Sequence, residues 1–258
     1  MNDMELKRII NIAVEAGKIM LTNGAETYRV EDTVKRMAES RLNTDVNVFV
    51  IPTGMIFSAE PDGILITKLY RVNPSGIDLE SIDRTNEFAR QFSSTDMSLD
   101  EAESKLLELV SPPNFSKLTR FFFSGMAGGF FVLLFGGTLS EFILSYIASS
   151  FTILLWDNLT SKNMNFFIKN ILGGFLASLL CFIGISIGKW IGVDASFNMV
   201  IIGPLMTLVP GVSLTNGIRD LISGELLAGS AKIMEALFIA IALAFGAGMV
   251  LQFVLAWI

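Results

Sequence analysis

Residues 203–225 read GPLMTLVPGVSLTNGIRDLISGE. Up to Ile218 the stretch is apolar enough for a membrane, yet Gly203-Pro204 and Pro210-Gly211 interrupt it, and each proline removes a backbone donor. Backbone groups left free at membrane depth are tolerated only where protein or a watery cavity satisfies them. The spacing therefore predicts a buried, broken span rather than a regular helix in lipid. A break at Pro210-Gly211 leaves half-helix ends inside the membrane, where free N–H groups and a partial positive charge suit a carboxylate. Thr207, Ser213, Thr215 and Asn216 add neutral donors and acceptors. Thr207, Pro210, Gly211, Ser213, Thr215 and Asn216 are accordingly candidate substrate-binding residues. Arg219 and Asp220 come next and Glu225 lies five residues beyond Asp220, which makes these three candidates for ion coupling or gating. The same residues also read as a proline kink followed by an interfacial loop with solvated charges, and physical reasoning leaves both readings open.

Working outward, apolar runs flank this segment at about 118–135, 139–156, 166–190 and 233–257. Each is about 18–25 residues long, enough to cross about 30 Å of hydrocarbon. With 197–218 as the broken fourth, five spans are expected; a re-entrant fourth segment would leave four and return the C-terminus to the inside. Composition agrees. The chain is 52% hydrophobic and 17% charged, with a mean hydropathy of +0.57. A soluble globular chain is about 45–50% apolar and about 25% charged. An ordinary soluble domain, a disordered chain and a nucleic-acid binder are thereby disfavoured. The net charge of −6 divides unevenly: residues 1–116 hold 12 basic and 19 acidic residues, a net of −7, and residues 117–258 hold 7 and 6, a net of +1. The expected architecture is a soluble α+β domain at 1–114, then an all-α polytopic membrane domain at 115–258.

The basic residues suggest an orientation. With the first domain in the cytoplasm, the inner flanks carry Lys117, Arg120, Lys162, Lys169, Arg219 and Lys232, and the outer flanks Lys189. That bias favours the N-terminus inside, and five crossings put Ile258 outside. Glu141 and Asp194 read as outer-flank residues. Asp157 ends the second span and Glu235 begins the fifth; an acid within a span is costly and so a functional candidate, as a proton carrier here, with interfacial solvation the alternative for each. Met1–Glu5 is polar and acidic, and Leu6–Leu21 carries Lys7, Arg8, Glu15 and Lys18, unlike a signal peptide. There is no His, which excludes His-based catalysis and His-ligated metal. The one cysteine, Cys181, permits neither an internal disulfide nor a thiolate cluster. No metal or cofactor is expected.

In the first domain, Leu6, Ile9, Ile10, Ala13, Val14, Gly17 and Leu21 recur at helical spacing, and Asn23-Gly24 reads as a stop. A second helix is expected over Ala25–Arg41. Val46–Ile51, Met55–Ala59 and Ile64–Val72 read as strands, the last two parted by the turn Pro61-Asp62-Gly63. Pro74-Ser75-Gly76 ends the sheet, helices follow over Asp78–Phe92 and Ser98–Leu109, and Ser98 with Glu101 suggests a capping box. Pro112-Pro113 marks the boundary. Gly24–Asp32 is dense in charge. It reads either as a helix start laced by pairs such as Glu31 with Lys35 and Asp32 with Arg36, or as a gating or docking element in which Arg29 meets a carboxylate. GxxxG spacing at Gly125–Gly129 and Gly184–Gly188, and the pairs Gly128-Gly129, Gly136-Gly137 and Gly173-Gly174, point to close helix packing.

The stretch Gly24–Arg36 (GAETYRVEDTVKR), the Ile51-Pro52-Thr53-Gly54 turn, and Val209–Glu225 (VPGVSLTNGIRDLISGE) followed by Ala228-Gly229 resemble the threonine/serine exporter family over essentially the whole chain. The resemblance implies one half of a secondary exporter. One version of that family is a long chain with a soluble domain, five spans and about five more; another splits the halves, as in an enteric bacterial pair that exports succinate, and this chain is similar to the larger subunit. It implies transport of small carboxylate-bearing metabolites, threonine- or serine-like amino acids or dicarboxylates, by proton-coupled alternating access in a bacterial inner membrane. The implied partner is a small four- or five-span membrane subunit, or further copies of the chain. A five-span half that starts inside ends outside, so its partner half would be inverted. The competing class is a membrane-anchored enzyme or regulator acting through the cytoplasmic domain; no GxSxG or metal cluster supports hydrolysis, and no enzyme is expected.

Overall fold

The computed structural model describes residues 3–73, 76–110, 115–160 and 164–257, with side chains through Phe253. Met1, Pro74-Ser75 of the sheet stop, the Pro112-Pro113 boundary, Lys162 and Ile258 lie outside the described residues. The chain forms two compact units: Met1–Pro113 with Val212–Met234, and Asn114–Gly211 with Glu235–Ile258.

The first unit opens with α1 (Asp3–Thr22), whose expected apolar face is buried together with Ile12, Ala16, Ile19 and Met20. More than one stripe is thus covered, as for a helix packed on several sides. It ends where expected: Gly24 takes a φ of +87° and the Ala25 N–H donates to the Met20 carbonyl at 3.0 Å. A left-handed φ there suits glycine and satisfies a carbonyl of the last turn. Helix α2 follows (Thr27–Leu42). Strands β1 (Val46–Ile51), β2 (Gly54–Ala59) and β3 (Ile66–Arg71) pair antiparallel in that order, with Val48 opposite Phe57 and Phe57 opposite Lys68. Alternation sends Val46, Val48 and Val50, and Met55, Phe57 and Ala59, into the core. The Pro61–Gly63 turn reverses the chain through positive φ at Asp62 and Gly63.

Helix α3 (Leu79–Ser94) is capped by Asp78, whose side chain accepts from the Ser81 N–H at 3.1 Å. In α4 (Leu99–Leu109) only half of the expected capping box forms: Ser98 Oγ accepts from the Glu101 N–H at 3.2 Å, and Glu101 pairs with Lys105 at 2.9 Å. Phe57 and Phe92 are fully buried where these layers meet; each stabilises the unit by about 1.5–3 kcal/mol through lost apolar exposure.

The second unit holds α5 (Lys117–Leu134), α6 (Leu139–Leu159), α7 (Phe166–Trp190), and the short α8 (Phe197–Val200) and α9 (Ile202–Met206). Helix α10 (Gly211–Ile222) joins the first unit from Val212 onward, and α11 (Leu226–Trp257) contributes to both. Among the described residues, four helices (α5, α6, α7 and α11) are long and apolar enough to cross a membrane; Phe197–Met206 with Gly211–Ile222 passes only as one bent segment, making up to five.

Small residues set the packing of the second unit. A Cβ on Gly203 would come within 2.5 Å of the Gly128 carbonyl, so α5 and α9 approach backbone to backbone, and the Ser149 and Ser145 side chains of α6 occupy the space a Cβ on Gly128 or Gly203 would need. Gly174 lies against the Leu243 carbonyl and Gly246 against that of Ile171, which fixes α7 on α11.

Candidate functional site

The turn between α1 and α2 meets α10 and the first turns of α11 inside the first unit. Reversal at Gly24 leaves the carbonyls of Gly24 and Ala25 and the N–H of Thr27 without helical partners. Residues 192 to 207 positions away supply them. Asn216 Nδ2 donates to the Gly24 carbonyl at 2.8 Å. Lys232 Nζ donates to the Ala25 carbonyl at 3.0 Å. The Thr27 N–H donates to Asp220 Oδ1 at 2.9 Å. Lys232 Nζ stands 2.9 Å from Asp220 Oδ2, with the Asp220 side chain 0% and the Lys232 side chain 10% exposed. Two opposite charges are thus held out of water, each also bonded to backbone.

Glu26 lies beside this pair, its side chain 5% exposed. Arg219 Nη1 donates to Glu26 Oε1 at 2.8 Å and Arg29 Nη1 to Oε2 at 3.2 Å. Burial opposes the charge on Glu26, but a bond from its own backbone N–H and the two guanidinium groups outweigh it and hold the carboxyl below the usual carboxylate range. Glu225 stands close to Glu31, whose pKa rises through burial and then through that neighbouring charge, against the Val50 backbone and Lys35.

Close approach of α10 and α11 makes this possible. A Cβ on Gly229 would come within 2.7 Å of the Gly217 carbonyl and 2.8 Å of the Leu221 nitrogen. Between the helices, Gly224 turns the chain at φ +93° and the Glu225 N–H donates to the Asp220 carbonyl at 2.8 Å. Helix α11 starts at Leu226, ahead of the apolar run at Ile233, so Lys232 falls in its second turn and faces inward.

Of the residues singled out from sequence, Arg29, Asn216, Arg219 and Asp220 come together here. Thr207 Oγ1 donates to the Pro204 carbonyl at 2.8 Å and Thr215 Oγ1 to that of Val212 at 3.0 Å, each within its own turn. Pro210 sits between α9 and α10, Gly211 opens α10, and Ser213 is half-buried. Asp157 pairs with Arg120 at 2.7 Å in the second unit, and Glu235 is exposed on α11. The expected Glu31–Lys35 pair is replaced: Lys35 lies 3.8 Å from Glu39, while Asp32 does reach Arg36 at 3.6 Å.

Sequence reasoning missed the partners. Glu26 was one acid in a charged block and Lys232 a flank cation; a lysine twelve residues beyond Asp220, at the head of an apolar helix, was the available signal. Glu141, expected as a flank residue, is buried: it closes a capping box with Thr138 and accepts from the Ser196 N–H at 2.9 Å. At the other end of α6, Lys117 reaches Asn158 at 3.1 Å and Lys169 lies 4.3 Å over the Trp156 ring, beside the Arg120–Asp157 pair. Several expected inner-flank cations therefore share one end of the α5–α7 bundle. No group of acids and Cys fit to hold a metal occurs among the described residues.

Long apolar helices whose charges pair between helices, together with a folded α+β unit, define a multi-pass α-helical membrane protein. Comparison with known proteins narrows the class. The ThrE family, described as “Putative threonine/serine exporter”, matches residues 11–254, and the chain belongs to that family. It is 21% identical over 243 residues to a “Probable threonine/serine exporter” of Mycobacterium tuberculosis, covering 92% of this chain and 45% of that protein. It is 22% identical over 251 residues to the “Threonine/serine exporter” of Corynebacterium glutamicum, covering 95% and 51%. With the “Probable succinate transporter subunit YjjP” of Klebsiella aerogenes it shares 17% identity over 228 residues, covering 88% and 87%. The chain spans about half the length of the first two relatives. No solved structure matches it.

Proposed function

We propose that the chain works as one half of a secondary exporter for small carboxylate-bearing metabolites, either threonine- and serine-like amino acids or dicarboxylates such as succinate. In this reading residues 1–114 lie in the cytoplasm of a bacterium and residues 115–258 cross its inner membrane five times, the fourth span broken at Pro210-Gly211. The N-terminus is inside and the C-terminus outside. A second membrane chain, or another copy of this one, completes the path. The subunit name of the succinate-transporter relative, 87% of which the chain covers, supports that arrangement.

The observation that carries the reading is the buried cluster at the α1–α2 turn. The charged block Gly24–Arg36 and the block around Asn216–Lys232 meet there, in a member of an exporter family. The broken segment offers the substrate carboxylate the N-terminal end of α10, with Thr207, Ser213 and Thr215 within four residues of Gly211 in the sequence. The cluster ties the far end of α10 to the cytoplasmic domain, so movement of α10 during alternating access requires the Glu26–Arg219 and Asp220–Lys232 contacts to loosen. Asp220 joins two of the cluster's contacts, holding the Thr27 N–H and Lys232 at once.

The test is efflux of labelled threonine and of labelled succinate from preloaded cells. Pro210→Ala and Arg219→Gln should each lower efflux of one of them about tenfold, a loss of about 1.4 kcal/mol in transition-state stabilisation, at unchanged protein level. Wild-type rates in both variants would remove the proposed site.

A further inference from the structure

A polar cavity of about 410 Å³ opens between α2 and α3, lined by Tyr28, Arg29, Asp32, Arg36, Asn86 and Arg90. Its size lies within the range of small-molecule sites, roughly 300–1,000 Å³. Arg29, Asp32 and Arg36 follow one another at three and four residues, so helix geometry places them on one face of α2. Arg90 and Asn86, four apart, present the same kind of face on α3. Three guanidinium groups and one carboxylate line the space, with a phenol and an amide between them. Every one of the three arginines keeps between 41% and 58% of its side chain exposed, so each has donors to spare beyond its intramolecular acid. A guanidinium fork is shaped for the two oxygens of a carboxylate.

We infer that this cavity is a regulatory binding site for a small carboxylate anion, separate from the transport path. The carboxylate lies against Arg36 and Arg90, with Asn86 and Tyr28 as neutral donors. Arg29 links the site to the cluster described above, because the same guanidinium holds Glu26, which in turn holds Arg219 of α10. A ligand carboxylate that draws Arg29 into the cavity takes one of the two guanidinium partners from Glu26 and loosens its hold. Binding a ligand of the cytoplasmic side is thereby coupled to the grip on α10, a link between sites carried by one shared side chain. This coupling rests on the exporter reading; the binding itself does not.

Isothermal titration calorimetry on the full chain in lipid nanodiscs, with succinate, threonine and inorganic phosphate as separate probes, tests the site. Succinate or threonine should bind saturably, and the double variant Arg36→Gln/Arg90→Gln should weaken that binding about tenfold or more. Asn86→Asp, which adds a negative charge at nearly constant size, should weaken it too, and Lys7→Gln, at an exposed cation of α1 outside both sites, should leave it unchanged. Binding by phosphate alone, by none of the probes, or by a carboxylate whose affinity falls in Thr207→Val of the broken segment and not in the cavity variants would overturn the assignment. Efflux serves as a separate readout: a chain that exports normally but fails the titration refutes the cavity alone, and one that passes the titration but exports nothing refutes the exporter reading alone.

Discussion

Asp220 and Lys232 show how much rests on single atoms in this protein. Each is buried, each is bonded to backbone of the α1–α2 turn, and each neutralises the other. Removing one partner leaves an uncompensated buried charge, which costs about 3–5 kcal/mol, whereas replacing both by apolar groups costs far less. Lys232→Met should therefore lower the melting temperature of the detergent-solubilised protein sharply, and Asp220→Leu/Lys232→Met should recover much of the loss. Glu26 adds a pH dependence with a definite sign. Its carboxyl is held below the usual range, so the folded state favours the ionised form and gains stability that is fully present above the unfolded pKa of about 4.3. That contribution is lost as pH falls through the folded value. Melting temperatures of wild type and Glu26→Gln should differ at pH 7 and converge as the pH drops below about 4.

Helix contacts explain what the glycines do. Gly174 and Gly246 sit against carbonyls across the α7–α11 contact, while a Cβ on Gly248, two residues on, would meet nothing within 4 Å. Alanine at Gly174 or Gly246 must push backbone apart; at Gly248 it should improve helix propensity by about 0.8–1.0 kcal/mol at no steric cost. Thermal unfolding should thus fall for the first two variants and hold or rise for the third. At this scale the sequence was legible in large part. Periodicity placed α1 to α4, the three strands and the apolar helices, and Gly24 ended α1 as its residue type requires. Which glycines touch backbone was legible only in part: Gly125, Gly128 and Gly174, from the expected pairs, do approach a neighbouring helix closely, but the same spacing marks Gly184 and Gly188, which have only ordinary contacts with Leu144, and it leaves out the tight Gly203 and Gly246. Spacing describes one helix, and close approach is a property of two.

Over the whole molecule, the division of charge between a net of −7 and a net of +1 separates a charged stretch of sequence from an apolar one, but does not mark where the compact units divide. Val212–Met234 packs with the first 113 residues because its polar groups satisfy the α1–α2 turn. Residues 1–113 made alone would leave the Gly24 and Ala25 carbonyls and the Thr27 N–H without these partners. Limited trypsin digestion should then cleave at Arg29 or Arg36 in that fragment faster than in the full chain; equal protection would show that the turn holds itself.

The sequence by itself determined which residues prefer water and which prefer hydrocarbon, where α1 to α7 start and stop to within a few residues, and that the Pro210-Gly211 region is irregular. Those properties are local, set by hydropathy, periodicity and backbone chemistry within a few residues. Tertiary structure alone decided that Asn216, Arg219, Asp220 and Lys232 serve the turn at Gly24–Thr27. Thr27 and Asp220 are 193 residues apart. A charge in a sequence states that a partner is needed; only the path by which the chain returns brings one particular partner within 3 Å.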